Sequence, residues 1–181
     1  MNVSGGNESF QRAGTVPELR FSRPDGTDGA TLHRLIARCP PLDTNSLYCN
    51  LLQCHHFAAT AVKVESGAGD MLGFVSGYLP PGHENVLFVW QVAVAEEARG
   101  NNLGVRMIRH ILARPECRGV DTVHTTITPG NRPSWGLFTR LARELGCDYG
   151  REILFDRDRH FAGGHENEIL MAIGPFARSP A

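Results

Sequence analysis

Val89-Trp90-Gln91-Val92-Ala93-Val94, running straight into Ala95-Glu96-Glu97-Ala98-Arg99-Gly100-Asn101-Asn102-Leu103-Gly104, is the segment around which the rest of the chain arranges itself. The first six residues carry no charge and are rich in Val, which predicts a strand. A short polar loop follows. Apolar residues then recur at Leu103, Val105, Met107, Ile108, Ile111 and Leu112, the period of a helix over residues 103–113. A helix start with small residues around it gathers unpaired backbone N–H groups and the positive end of the helix dipole at one point, which suits a pyrophosphate. Gly100 and Gly104 would let such a ligand approach the backbone. An ordinary loop closed by a turn glycine fits the same residues, and the segment by itself leaves both readings open. It is not a Walker loop, because Gly-Lys-Ser/Thr is missing, and it lacks the G-x-G-x-x-G spacing of dinucleotide sites.

Working outward, the elements alternate. Residues 19–23 predict a first strand, and Pro24-Asp25-Gly26 a turn. Asp28 is placed to cap a helix running to about Arg38, which Pro40-Pro41 stops. Asp43-Thr44-Asn45-Ser46 gives a second cap signal before a helix over residues 47–57. Residues 60–65 and 71–79 read as strands joined by Ser66-Gly67-Ala68-Gly69-Asp70, a hairpin signature. A long strand follows over 86–94, then the helix over 103–113, a Thr/Val/Ile strand over 122–128 and a helix over 134–145 that Gly146 ends. Residues 153–155 and 168–173 predict the last two strands. About seven strands and four helices make one α/β domain over residues 18–174, with early antiparallel hairpins and one central strand-helix-strand unit. Residues 1–17, rich in Gly, Asn and Ser, are expected to be a disordered tail, and 175–181 a short C-terminal one.

The chain has 181 residues, with 18 Lys+Arg against 19 Asp+Glu and 41% apolar residues, a globular rather than a disordered composition. Near-neutral charge argues against a dedicated nucleic-acid binder. No run approaches the roughly 20 apolar residues that span a bilayer, and the first residues lack the apolar core of a secretory signal. Lys63 is the one lysine, so Arg supplies the other 17 of the 18 basic residues, a mark of genome composition. Cys39, Cys49, Cys54, Cys117 and Cys147 are odd in number and irregular in spacing, which predicts thiols in a cytoplasmic protein rather than a disulfide framework. Cys49, Cys54, His55 and His56 invite a zinc reading, but no second Cys/His pair stands at finger-like spacing, so helix packing is the expectation and no metal is assigned.

Arg99, Asn102 and Gly104 resemble the Arg/Gln-x-x-Gly-x-Gly/Ala loop with which GNAT N-acetyltransferases hold acyl-CoA, with Asn102 where the middle glycine belongs. Asn tolerates the left-handed backbone better than most residues. Longer stretches narrow the resemblance: Leu42-Asp43-Thr44-Asn45-Ser46-Leu47-Tyr48-Cys49-Asn50-Leu51-Leu52, Gly73-Phe74-Val75-Ser76-Gly77-Tyr78 and Thr125-Thr126-Ile127-Thr128-Pro129-Gly130-Asn131-Arg132-Pro133-Ser134-Trp135. With residues 89–94 they are similar to the L-2,4-diaminobutyrate acetyltransferases of ectoine biosynthesis. The resemblance implies a single GNAT domain with a mixed, mostly antiparallel sheet. It also implies acetyl transfer from acetyl-CoA to the γ-amine (N4) of L-2,4-diaminobutyrate, no metal, and a homodimer.

An aliphatic ammonium, with a pKa near ~10, must lose a proton before it attacks. The site must also hold it near the thioester and stabilise an oxyanion. By resemblance, the pantetheine arm pairs with the backbone around Val92 and Val94, where a backbone N–H of Val92 serves the oxyanion. Arg99, Gly100, Asn101, Asn102, Gly104 and Val105 face the phosphates, and Asn131 contacts CoA or is only a turn residue. Phe138 stands where many GNAT enzymes have a Tyr acid, so either the thiolate leaves unaided or another group serves. Asp43, Tyr48, Trp90, His165 and Glu168 match positions that line the acceptor pocket, though capping, packing or a polar turn explains each as well. His165 is the preferred base because it can be neutral near pH 7, with Glu168 or a water chain as the alternatives. Two further readings stay open: another small amine or polyamine as acceptor, and a GNAT-fold module that binds acyl-CoA without turnover.

Overall fold

The computed structural model describes residues 18–177, so the tail expected over 1–17 and the last residues of the one expected over 175–181 lie outside the described residues. The elements in order are β1 (Arg20–Ser22), α1 (Gly29–Ala37), α2 (Leu47–His55), β2 (Val62–Glu65), β3 (Met71–Tyr78), β4 (Val86–Val94), α3 (Leu103–Leu112), β5 (Thr122–Ile127), α4 (Arg132–Leu145), β6 (Tyr149–Phe155), α5 (Arg157–Phe161) and β7 (Glu168–Ile173). The strands form one sheet in the order β1-β2-β3-β4-β5-β7-β6. Every neighbouring pair is antiparallel except β4 with β5, which are parallel and joined through α3. This is the mixed, mostly antiparallel α/β sheet that the family resemblance implies.

Both faces of the sheet are covered. Leu103, Val105, Met107, Ile108, Ile111 and Leu112 of α3 are buried, and with Phe138 and Leu141 of α4 they pack on Val62, Val64, Val75, Leu87 and Val89. On the other face Leu32, Leu35 and Ile36 of α1 and Cys54 of α2 pack on Phe74 and Ala93. Cys54 thus serves the core, where burial pushes its thiol up to about 12.

Two irregularities in β4 shape the middle of the sheet. Ser76 pairs with Gln91 but Gly77 pairs with Val89, so Trp90 is an extra residue without a partner in β3. Such a bulge bends the strand and re-aims its side chain, and Trp90 is 43% exposed. The ladder to β5 covers only Val86↔Thr122, Leu87↔Val123 and Phe88↔His124. Beyond Phe88 the two strands part and the sheet opens.

Three elements differ from the sequence expectation. β6 is seven residues long rather than three, and all seven are exposed. A strand at the sheet edge with both faces in solvent has no apolar alternation to read. The short α5, capped by the Asp156 carboxylate accepting from the N–H groups of Asp158 and Arg159, is too brief for periodicity to reveal. Asp28 does not cap α1 with its side chain. Asp25 makes the capping box of a preceding 3-10 turn, and the Asp28 carboxylate accepts from Lys63 Nζ at 2.7 Å.

Candidate functional site

Two hollows open where β4 and β5 part, and they share Pro41, Leu42, Val92, Asn131 and Ser134. Their common wall is the backbone of β4. Ala95 N–H reaches Leu72 O at 2.9 Å, and Ala93 stands opposite Phe74. Backbone groups of an antiparallel pair alternate toward and away from the partner. Ala93 and Ala95 therefore face β3, while Val92 and Val94 turn their N–H and C=O toward the gap. The Val94 carbonyl accepts from Arg99 Nε at 3.3 Å and from the Cys39 thiol at 3.4 Å. The Val92 N–H is the group of this pair aimed at the junction of the two hollows.

The first hollow, a groove of about 520 Å³, takes in Val92, Val94, Arg99, Gly100, Asn102, Gly104, Val105 and Asn131. Asn101, expected with them, is not in its lining; its side chain turns to the Arg99 carbonyl at 3.5 Å. Gly100 and Asn102 both have positive φ, 82° and 56°, so Asn102 does adopt the left-handed backbone for which Asn substitutes for Gly. Its side chain makes no cap on α3. Instead its amide donates to Glu144 of α4 at 2.8 Å. The first N–H groups of α3, which a capping side chain would otherwise take, thus keep their capacity for an anion. Glu144 also accepts from Arg140 and Arg109. These bonds, Arg140's foremost and Asn102's next, hold the Glu144 carboxyl below its ordinary pKa. A Cβ on Gly104 would lie 2.4 Å from Leu137 Cδ1 and 3.4 Å from Val92 Cγ1. Gly104 therefore sets how closely α3 approaches α4 along the groove.

The second hollow is a cavity of about 680 Å³ between the α2 entry, β4, β5 and the β7 entry. Asp43, Trp90, His165 and Glu168 line it, as does Phe138. Tyr48 is not among its lining residues: it projects from the first turn of α2 and is 69% exposed. Asp43 is held without capping α2, a task that falls to Ser46, whose hydroxyl accepts from Cys49 N–H. The Asp43 carboxylate accepts from Asn45 N–H at 3.0 Å, and its carbonyl accepts from Gln91 Nε2 at 2.8 Å. Asn131 caps α4, its side-chain oxygen accepting from Ser134 N–H at 3.2 Å. His165 Nδ1 lies 2.8 Å from the Glu166 carbonyl. A carbonyl only accepts, so Nδ1 carries the hydrogen and Nε2 keeps its lone pair when the ring is neutral. Nε2 stands 3.9 Å from Glu168 Oε1. Trp90 meets Phe57 and Tyr78 edge-on, with ring centroids 6.2 and 6.4 Å apart, which fixes the indole at the cavity wall.

Gln91, Thr125 and Glu166 also belong to the cavity and escape the sequence reading. A buried Gln in the middle of an apolar strand is a signal that could have found Gln91. The alternation of β5 places Thr125 inward. Nothing local distinguishes Glu166 from the polar turn around it. Among the described residues no three His, Cys, Asp or Glu side chains gather as a metal set, and no helix is long and apolar enough to cross a membrane.

Comparison with known proteins gives a consistent result. The acetyltransferase (GNAT) family model matches residues 30–142. The L-2,4-diaminobutyric acid acetyltransferase of Methylotuvimicrobium alcaliphilum is 51% identical over 161 residues, covering 89% of this chain and 93% of the relative. That of Halomonas elongata is 40% identical over 158 residues, covering 87% and 82%. The diaminobutyrate acetyltransferase of Paenibacillus lautus, solved with L-2,4-diaminobutyric acid and coenzyme A, superposes with a TM-score of 0.83 at 33% identity, covering 91% of this chain and 99% of that one. The ribosomal-protein-S18-alanine N-acetyltransferase of Escherichia coli, at 17% identity and a TM-score of 0.64, shares the fold.

Proposed function

The chain belongs to the GNAT acetyltransferase family, in its L-2,4-diaminobutyrate acetyltransferase branch, and from that membership we propose that it transfers acetyl from acetyl-CoA to the γ-amine of L-2,4-diaminobutyrate. The product, N4-acetyl-L-2,4-diaminobutyrate, is the precursor of ectoine. The observation that carries this reading is the meeting of groove and cavity at Val92, because the reaction needs a donor and an acceptor from two directions at one oxyanion donor.

The groove residues fit acetyl-CoA. The uncapped first turn of α3, with Arg99 and Arg140 beside it, faces the phosphates, and the outward backbone of Val92 and Val94 accompanies the pantetheine arm. In the cavity, Asp43 and Glu168 face the ammonium groups, and Trp90 and Phe138 wall the short chain. His165 Nε2 takes the proton from the γ-ammonium, directly or through water, with Glu168 as the alternative. The freed nitrogen attacks the thioester carbon, the Val92 N–H supports the oxyanion, and the thiolate departs without a side-chain acid, because Phe138 offers none. Asn101 and Tyr48 lie outside the linings of the two hollows and are given no part in the reaction. We further infer a cytoplasmic homodimer. The exposed edge strand β6 supports pairing of two copies, with Ile153, Leu154 and Phe155 on its surface.

The experiment is thiol release from acetyl-CoA over a panel of acceptors. Diaminobutyrate is expected to exceed ornithine and 2,3-diaminopropionate by about tenfold or more, the order expected for one misplaced methylene. Faster turnover of ornithine would refute the substrate assignment and leave the family intact.

A further inference from the structure

The acceptor cavity holds more negative charge than one ammonium requires. Asp43, Glu166 and Glu168 all line it, His165 is the other ionisable side chain among its described lining residues, and none of those residues is Arg or Lys. The carboxylates come from both sides of the gap. The Asp43 segment is tied to β4 through Gln91, whereas Glu168 begins β7, beyond β5. Glu166 Oε2 is 3.6 Å from where a Cβ of Gly130 would stand, which sets its carboxylate over the loop that follows β5. A cationic diamine finds a carboxylate on either side. The carboxylate of an amino acid meets like charges and only neutral donors such as Thr126, Thr128 and Ser134. A site that selected strongly for a carboxylate would present a guanidinium or ammonium to it.

We propose that the cavity recognises its acceptor through the two nitrogens rather than the carboxylate, and that 1,3-diaminopropane, which is diaminobutyrate without its carboxyl group, is a second substrate. The inference rests on the reading of this cavity as the acceptor site. The transfer balances as before. One ammonium of the diamine gives up a first proton to the base and so to solvent, its nitrogen forms the amide bond to the acetyl carbon and loses a second proton, and the C–S bond breaks. Coenzyme A leaves as the thiol, having taken up one proton. The second ammonium stays on the carboxylates.

Two deletion analogues of the substrate test this with the full-length protein. 1,3-Diaminopropane lacks the carboxylate, and 4-aminobutyrate lacks the α-ammonium. The expected kcat/KM for 1,3-diaminopropane is at least tenfold above that for 4-aminobutyrate, and a ratio below tenfold overturns the proposal. Competition against diaminobutyrate removes any difference in intrinsic amine reactivity. 1,3-Diaminopropane is expected to inhibit at a concentration at least tenfold lower than 4-aminobutyrate, and equal inhibition overturns the proposal. Glu166→Gln and Glu168→Gln are each expected to raise the KM for 1,3-diaminopropane about tenfold with the acetyl-CoA KM unchanged. A KM that neither variant moves also overturns it. Turnover of diaminobutyrate with none of 1,3-diaminopropane refutes this proposal alone, whereas turnover of neither refutes the underlying function.

Discussion

Replacing Gly104 by Ala probes how the donor groove is shaped. The new Cβ would stand 2.4 Å from Leu137 Cδ1 and 3.4 Å from Val92 Cγ1. Carbon atoms rest at about 3.5–4.0 Å, so the tip of Leu137 must retreat by about 1 Å. It is the end of a rotatable side chain, which places the overpacking cost near the lower end of the usual range of about 1–3 kcal/mol. Ala gains about 1 kcal/mol over Gly in a helix interior and less at Gly104, the second residue of α3, so the gain offsets part of the cost and the fold survives. The groove does not escape, because Leu137 lines it. The expected result is an acetyl-CoA KM raised about tenfold, about 1.4 kcal/mol, with the diaminobutyrate KM within about twofold of wild type. Gly104→Val, with its branched side chain, loses more of both stability and donor affinity. Adding Leu137→Ala to Gly104→Ala is expected to recover most of the donor affinity, a coupling that a double-mutant cycle reads directly. Initial rates over acetyl-CoA concentration, with melting temperatures alongside, supply the numbers. A folded Gly104→Ala enzyme with a wild-type acetyl-CoA KM would refute the reasoning, and so would a double variant no better than the single one.

Asn102→Gly keeps the left-handed backbone but loses the bond to Glu144, so a stability loss of about 1 kcal/mol or less is expected. Asn102→Ala adds a left-handed penalty of about 1 kcal/mol, and thermal melts of both check the order. Because the folded-state pKa of Glu144 is depressed, its tie to Asn102, Arg140 and Arg109 is present above the ordinary carboxylate range and lost as pH falls through the depressed value. Acid titration of Asn102→Gly should accordingly show less pH-dependent loss of stability than wild type. Lys63→Met takes the cation from Asp28 and Glu65, each with its side chain 12% exposed, although Arg20 still pairs with Glu65 at 2.7 Å. Denaturant unfolding should register a loss of about 3 kcal/mol, the lower end for broken buried pairs, because Arg20 remains on Glu65. Gln91→Leu removes the bond that holds the Asp43 carbonyl. The diaminobutyrate KM is expected to rise about tenfold while the acetyl-CoA KM stays put, and an equal rise in both would mean that Gln91 supports the fold rather than the acceptor wall.

The central unit was legible because its elements carry independent local signals: an apolar strand, then Gly100 and Asn102 in a loop, then a helical period through Leu112. The two early helices were legible from the Ser46 cap and from Pro40-Pro41, whereas Asp28, expected to cap α1, holds Lys63 instead. β6 was hidden because Tyr149–Phe155 is exposed along its whole length, and without a buried face a strand has no period of two. The loop side of the groove was readable apart from Asn101, since a loop at a helix start is local, whereas Leu137 and Arg140 of α4 reach it only through the fold. The cavity was only partly so. Asp43, Trp90 and His165 come together from segments far apart in sequence, and the bulge that frees Trp90 depends on pairing with β3. Glu166 enters through the path of its turn over Gly130, a geometry that only the folded chain possesses. Asn102 illustrates the opposite case. Its residue type foretold the left-handed backbone, but its bond to Glu144, forty-two positions away, was out of reach.

The most direct test of the meeting of groove and cavity at Val92 is the position of the acetyl group in the product. Incubation with carbonyl-13C acetyl-CoA and L-2,4-diaminobutyrate, followed by NMR, distinguishes the two amines. The proposed binding mode predicts a coupling from the labelled carbonyl to the γ-methylene protons and none to the α-proton, because it sets the α-ammonium among the carboxylates and the γ-nitrogen at the thioester. Substantial label on the α-nitrogen, or no labelled amide at all from a folded enzyme, would contradict the account.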